Sequence, residues 1–199
     1  PSTNAHIQKR MKIPDNHNIS ESDLIQGCIK GERRMQELLY QIYSPKMYGV
    51  CLRYAGDADD AQDILQDGFV KVFRHLDRFR SEGSFEGWMR RIFVNTAIEH
   101  YRKKVSLLQV SDSHEEQIQD NSWSILDKLA VKDIIQAVQQ LPPGYRAVFN
   151  LYVIEGYGHK EIAAMMGISE GTSKSQLARA KNTLQQILHG SRKSTSKKS

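Results

Sequence analysis

Residues 158–181 read GHKEIAAMMGISEGTSKSQLARAK, and this stretch decides the fold. Ile162, Ala163 and Met166 recur at helical spacing and give a short first helix one apolar stripe. Gly167 then interrupts the pattern, and glycine adopts the left-handed backbone that a sharp turn needs. Ile168 is placed to plug the corner, and Ser169 is a good N-cap for the helix that follows. In that second helix Leu177, Ala180, Leu184, Ile187 and Leu188 share one face. Gly171, Thr172, Ser175, Arg179 and Asn182 share the opposite one, at about 100° per residue. That opposite face is small, polar and basic, without a carboxylate. It suits a DNA major groove, with its N-terminal end toward the base edges. The bland alternative is a two-helix corner with an ordinary wet face. The short residues at the helix start, the flanking Lys174 and Lys181 and the basic surroundings weigh against it.

The surroundings are basic only in part. The net charge of +5 divides into about +7 for residues 128–199, −4 for 104–127 and +2 for 1–103. A basic C-terminal third suits a polyanion. The chain of 199 residues is 39% hydrophobic, enough for one or two small cores. No run reaches the length of a membrane span and no signal-peptide core is present, so membrane insertion is not expected. Cys28 and Cys51 are isolated and neither begins a C-x-x-C, which points to a reducing, cytoplasmic location and away from a zinc site.

Read from the start, residues 1–19 are polar and aperiodic, a disordered segment by composition, within which Met11 offers an alternative start to Pro1. Helical patterns then follow without strand signals, and the fold class expected is all-α. A short helix capped at Ser20–Asp23 turns Leu24, Ile25, Cys28 and Ile29 inward. A longer one covers about residues 32–55, with Pro45 expected to kink or break it. A third runs from about Asp59 to Phe79, and a fourth from Ser84 to about Lys103. Residues 104–124 lose the periodicity, turn acidic and read as a flexible linker; some 20 extended residues could span roughly 65 Å. A second helical domain covers 125–190, with helices over about 126–140 and 145–154 ahead of the helix–turn–helix, and 191–199 is a basic tail.

Two further stretches carry recognition chemistry. Asp59, Asp60, Asp63 and Asp67 recur at three- and four-residue spacing and share a helix face. No matching ligand set accompanies them, so a solvated face or an acidic docking surface is expected rather than a metal site. Residues 84–102, SFEGWMRRIFVNTAIEHYR, interleave rings and cations. Phe85 and Trp88 could stack on unpaired bases, Arg90, Arg91 and Arg102 could meet phosphates, and Asn95 could pair with a base edge. The opposing reading puts Phe85 and Trp88 in the core of an amphipathic helix. No Gly-rich phosphate loop, nucleophile elbow or HExxH is present, so neither an enzyme nor a cofactor is expected.

Taken together these stretches resemble the extracytoplasmic-function sigma factors, the short two-domain members of the sigma-70 family of bacterial RNA polymerase. Residues 20–103 resemble the family's region two, including SFEGWMRRIFVNTAIEHYRKK as its melting and minus-10 segment. LPPGYRAVFNLYVIEGYGHKEIAAMMGISEGTSKSQLARAK resembles region four from end to end. The resemblance implies that Asp60, Asp63, Gln66, Asp67 and Val70 dock on the β′ clamp helices of core polymerase, with the β flap as a second contact. Ser81, Ser84, Phe85, Trp88, Arg91, Asn95 and Glu99 would meet the minus-10 element, loop 80–85 receiving a flipped base. Thr172, Lys174, Ser175, Gln176 and Arg179 would read the minus-35 element. It also implies a linker that threads the RNA exit channel and an anti-sigma factor that restrains the protein. Ser173 departs from the pattern, because the family usually places an apolar residue there. Loop Ser81–Ser84 is also its own variant, so the flipped base is not named. A stand-alone helix–turn–helix regulator of duplex DNA is the alternative; it would need no aromatic–basic melting stretch.

Overall fold

The computed structural model describes residues 19–108 and 131–195, and among these every regular element is helical. Helix α1 (Glu21–Ile29) begins where Ser20 accepts the Asp23 N–H at 3.0 Å. Leu24, Ile25 and Cys28 turn inward, but Ile29 is exposed, one residue past the buried arc. Helix α2 (Arg33–Tyr54) passes unbroken through Pro45. The proline lies on the exposed side, where water can serve the carbonyl whose helical bond it removes. Helix α3 (Ala58–His75) starts at Asp57, which accepts the Asp60 N–H at 2.8 Å, and ends in a 3-10 turn, Leu76–Arg78. Helix α4 (Phe85–Leu108) starts where the Ser84 hydroxyl accepts the Gly87 N–H at 3.1 Å.

Helix α4 extends past the expected boundary. Residues 104–108 are helix and not linker, because Lys104 pairs with Asp60 of α3 and Val105 is half-buried. The rest of the expected linker, the start of the second domain at 125 and the tail beyond 195 lie outside the described residues, as does the segment before 19. Helices α2, α3 and α4 close on an aromatic centre: Phe69 meets Phe93 edge-on at 5.2 Å and Tyr40 at 4.6 Å. Gly68 makes that approach possible, since a Cβ there would come within 2.2 Å of the Phe93 ring.

The C-terminal half comprises α5 (Val131–Gln139), α6 (Pro143–Phe149), α7 (His159–Met166) and α8 (Glu170–Thr195). Pro143 opens α6 at a position that needs no N–H. The expected 145–154 helix changes character at Asn150, continuing as a wider π-turn to Ile154 in which Glu155 N–H bonds back to the Asn150 carbonyl at 3.0 Å. Gly167 ends α7 at φ 71°, and Ser169 caps α8 by accepting the Thr172 N–H at 2.9 Å, both as the sequence predicts.

The two halves pack against each other, which the linker composition does not announce. The last carbonyls of a helix lack helical partners and need outside donors. At the end of α2 these donors come from the other half. Gln139 donates to the Leu52 carbonyl at 3.1 Å, Asn150 to that of Arg53 at 2.7 Å, and Arg146 to that of Ala55. A buried guanidinium is favourable at this negative end of the helix dipole, although burial lowers the Arg146 pKa from its ordinary value.

Candidate nucleic-acid interface

Four surfaces bear on recognition. The first is the α3 face expected to dock on a partner. Asp63, Gln66, Asp67 and Val70 are exposed along it, Val70 at 54%. Side chains of α4 already engage part of this face. His100 Nε2 lies 2.8 Å from Asp67, and Lys104 pairs with half-buried Asp60, holding its carboxyl below the usual range. Lys71 of α3 completes the ladder by pairing with Glu99 at 2.7 Å. The acidic row is thus tied to α4 by two ion pairs and the His100–Asp67 hydrogen bond, open at Asp63 and bordered by the apolar Val70.

The second surface is the loop before α4. Arg80, Ser81, Glu82, Gly83 and Ser84 are exposed, and Ser81 takes φ 57°, a left-handed conformation uncommon for a residue with a Cβ. With Trp88 and Arg91 the loop lines a cavity of about 360 Å³. Trp88 is half-buried, Arg91 and Asn95 are exposed, and Glu99 is exposed further along α4. Phe85 departs from the expectation. Its side chain is 0% exposed and wedged among Tyr43, Phe79 and Trp88, with ring centroids 5.1–5.7 Å away. It cannot stack on a base; it backs Trp88, against which it lies nearly parallel at 18°. Arg90 is engaged as well. Its Nε and Nη2 reach the Glu155 carboxylate at 2.7 and 2.9 Å, and this pairing raises its pKa.

The third surface is α8. Leu177, Ala180, Leu184 and Leu188 are buried, and Ser173 occupies the first position of the same stripe at 0% exposed. Lys174 and Ser175 are exposed, and Thr172, Gln176 and Arg179 are half-buried. Local bonds hold several of them: Thr172 joins the cap, Lys174 pairs with Glu170 at 2.8 Å, and Arg179 approaches the Tyr145 hydroxyl at 3.5 Å. The pairing with Lys174 lowers the Glu170 pKa.

The fourth is a cleft of about 960 Å³ where α4 meets α7 and α8. Glu99, Arg102, Gly167, Thr172 and Gln176 line it, so residues assigned to two different DNA elements face one space. Elsewhere between the halves Glu155, its side chain only 8% exposed, receives Arg90 and, at 3.5 Å, Arg53. Sequence reasoning gave neither Glu155 nor the donors Arg146 and Asn150 a role. A lone carboxylate after the apolar run Leu151–Ile154 is the one signal that could have drawn notice.

Comparison with known proteins agrees with this layout. Residues 39–106 match the family model for Sigma-70 region 2, and residues 132–184 that for Sigma-70, region 4. The chain is 29% identical over 180 residues to the RNA polymerase sigma-H factor of Pseudomonas aeruginosa, covering 84% of this chain and 93% of that protein. It is 31% identical over 163 residues to the ECF RNA polymerase sigma factor SigE of Mycolicibacterium smegmatis, covering 76% of this chain and 60% of that one. Among solved structures, the sigma factor RpoE of Bartonella quintana, in complex with the anti-sigma factor NepR, aligns at TM-score 0.47 and 24% identity, covering 77% of this chain and 96% of that one. Among the described residues no helix is long and apolar enough to cross a membrane.

Proposed function

The chain belongs to the sigma-70 family as an extracytoplasmic-function RNA polymerase sigma factor, and we propose how its residues divide the work of directing core polymerase to promoters. The α3 face of Asp60, Asp63, Gln66, Asp67 and Val70 docks on the β′ clamp helices, its ladder of α4 cations giving way to those of the partner. The loop Ser81–Ser84 with Trp88, Arg91, Asn95 and Glu99 captures the minus-10 strand. The cavity beside that loop has room for a flipped base, with Phe85 acting as buried support. Thr172, Lys174, Ser175, Gln176 and Arg179 read the minus-35 element in the major groove. Two helical domains, within 20–108 and 125–190, carry these roles in the cytoplasm, without catalysis or cofactor. An anti-sigma factor restrains the protein, as the family resemblance implies.

One observation carries the reading: Glu99, from the proposed minus-10 set, and Thr172 and Gln176, from the proposed minus-35 set, share one cleft. By their names the two promoter elements lie about 25 base pairs apart, roughly 85 Å at ~3.4 Å per step. Residues lining one cleft cannot reach both. Promoter engagement therefore requires the halves to separate, and the polar bonds between them, helix-end capping at α2 and the Glu155 pairs with Arg53 and Arg90, are suited to release. Water can replace each capping donor.

The test is run-off transcription from genomic fragments with core polymerase, with and without this protein, followed by two variants. Arg179→Ala should weaken duplex binding by about 1–3 kcal/mol if the guanidinium contacts a base. Asn95→Ala should leave that binding intact and slow opening, read by permanganate reactivity of unpaired thymines. A template pre-melted across the minus-10 region should rescue Asn95→Ala and not Arg179→Ala. Equal loss of duplex binding in both variants, with no rescue, would make the protein a plain duplex-binding regulator.

A further inference from the structure

Ser173 is a hydroxyl at the head of an otherwise apolar stripe on α8, fully buried where α8 meets α7. A buried hydroxyl without a partner is costly. Its partner is His159, whose Nδ1 lies 2.9 Å from the Ser173 Oγ. His159 is the first residue of α7, and three contacts fix it. The turn that carries it is closed by Glu161, whose carboxylate accepts the Gly158 N–H at 2.8 Å. Its ring lies on Tyr152 at 4.6 Å, 22° from parallel. Its Nδ1 meets Ser173. The bond therefore ties the start of one helix of the helix–turn–helix to the first turn of the other.

The placement matters because Ser173 stands between Thr172 and Lys174. An apolar residue there would pack without direction, and α8 could slide or roll over α7 at little cost. A hydrogen bond fixes distance and angle at one point, at the end of α8 that faces the base edges. Small rotations of α8 about its own axis would sweep Thr172, Lys174 and Gln176 across the groove.

We propose that His159 is a positioning residue for minus-35 recognition: through the Ser173 hydroxyl it sets the rotation and depth of α8 in the major groove. This rests on the assignment of α8 to the minus-35 element. The side-chain pair stands at the head of an otherwise apolar stripe, and it makes the reading angle of α8 a property of these two residues. His159 itself touches no base.

The test uses the full chain with core polymerase on a promoter recovered by the run-off screen, with its minus-35 element intact or replaced. The quantity read is discrimination, the ratio of the two affinities. His159→Phe keeps a ring for Tyr152 and removes Nδ1; Ser173→Ala removes the hydroxyl. Each should cut discrimination about tenfold, the worth of one buried bond left unmade. Affinity for the replaced promoter, binding to core polymerase and helicity should stay unchanged. The double variant should lose no more than either single one, since no partner is then stranded. His159→Asn, whose amide reaches the Nδ1 position, should restore most of the discrimination. Arg179→Ala and Gln176→Ala serve as controls on the underlying assignment. If they leave discrimination intact, α8 does not read the minus-35 element and the positioning role falls with it. If they abolish it while His159→Phe and Ser173→Ala do not, or if losses merely follow helicity and His159→Asn rescues nothing, the positioning role alone is overturned.

Discussion

Helix pairs α3–α4 and α7–α8 each carry a face proposed for recognition, but they are held by opposite means. Between α3 and α4 the interior is aromatic and the rim is charged, with Asp60, Asp67 and Lys71 each paired to α4. Between α7 and α8 the interior is aliphatic, with one hydroxyl at its head, and the charged pair on the surface, Glu170–Lys174, is local to α8. The first pair gains rigidity from ring packing, and its charges are linked across helices. In the second a side-chain hydrogen bond joins the helices at Ser173. A strand-capturing surface needs a fixed wall beside a loop, whereas a groove-reading helix needs one well-set angle.

The largest effect should come from severing the contact between the halves. Glu155→Ala leaves Arg53 and Arg90 without their shared carboxylate, at about 2 kcal/mol, less than for a fully buried pair because the Arg90 side chain is 39% exposed. Small-angle scattering of the free protein should show a larger radius of gyration, and α3–α4 and α7–α8 should unfold in separate steps. An unchanged radius would mean that the capping bonds from Gln139, Arg146 and Asn150 hold the halves together unaided.

Next is a paired substitution that contrasts the two interiors. Gly68→Ala sets a methyl against the buried Phe93 ring and should destabilise by roughly 1–3 kcal/mol, despite the better helix propensity of alanine. Gly171→Ala, where the new Cβ meets only the Ser169 hydroxyl at 3.7 Å, should stabilise by about 0.5–1 kcal/mol. Urea midpoints that move in opposite directions bear this out. A midpoint for Gly68→Ala at or above that of the parent would show that the α3–α4 interior yields more easily than its ring packing implies.

Much of this was legible in the sequence, and the misses have common causes. The helix–turn–helix, its Gly167 turn and its Ser169 cap follow from local spacing and chemistry. The exposure of Asp63 and Asp67 on α3 also follows from helical spacing, whereas the contacts of Asp60 and Asp67 with α4 do not. Phe85 was ambiguous because a ring at the start of an amphipathic helix can point either way, and only the third dimension shows Tyr43, Phe79 and Trp88 around it. The end of α4 was misjudged because Lys104 reads as polar while its partner Asp60 lies 44 residues away. Contact between the halves leaves no periodic trace, since it is made by donors meeting the backbone carbonyls that end α2 and by one carboxylate, Glu155, far in sequence from Arg53 and Arg90. Residues of any type have such carbonyls.

The smallest effect separates the two pairs by pH. Burial, and then Lys174, hold the His159 pKa below its ordinary value of 6.5, opposed by Glu170 and helped by Lys181. The unfolded chain therefore takes up this proton before the folded one does. Stability linked to His159 is complete above about 6.5 and is lost as pH falls from there toward the depressed folded value. Asp60 behaves differently. Its folded pKa lies below 3.8 because Lys104 bonds to it, so its contribution is complete above about 4 and fades only at lower pH. Acid should thus loosen α7–α8 before α3–α4. Amide hydrogen exchange at pH 7, 5.5 and 3 reads both steps. Protection in α7 and the first turns of α8 should fall between pH 7 and 5.5 while that of α3 and α4 holds, and the α3–α4 pair should weaken only below about pH 4. His159→Phe should remove the first step and leave the second. Parallel loss in both pairs across the whole range would show that the closed halves respond as one unit, with the titration of His159 too weakly coupled to its surroundings to be seen.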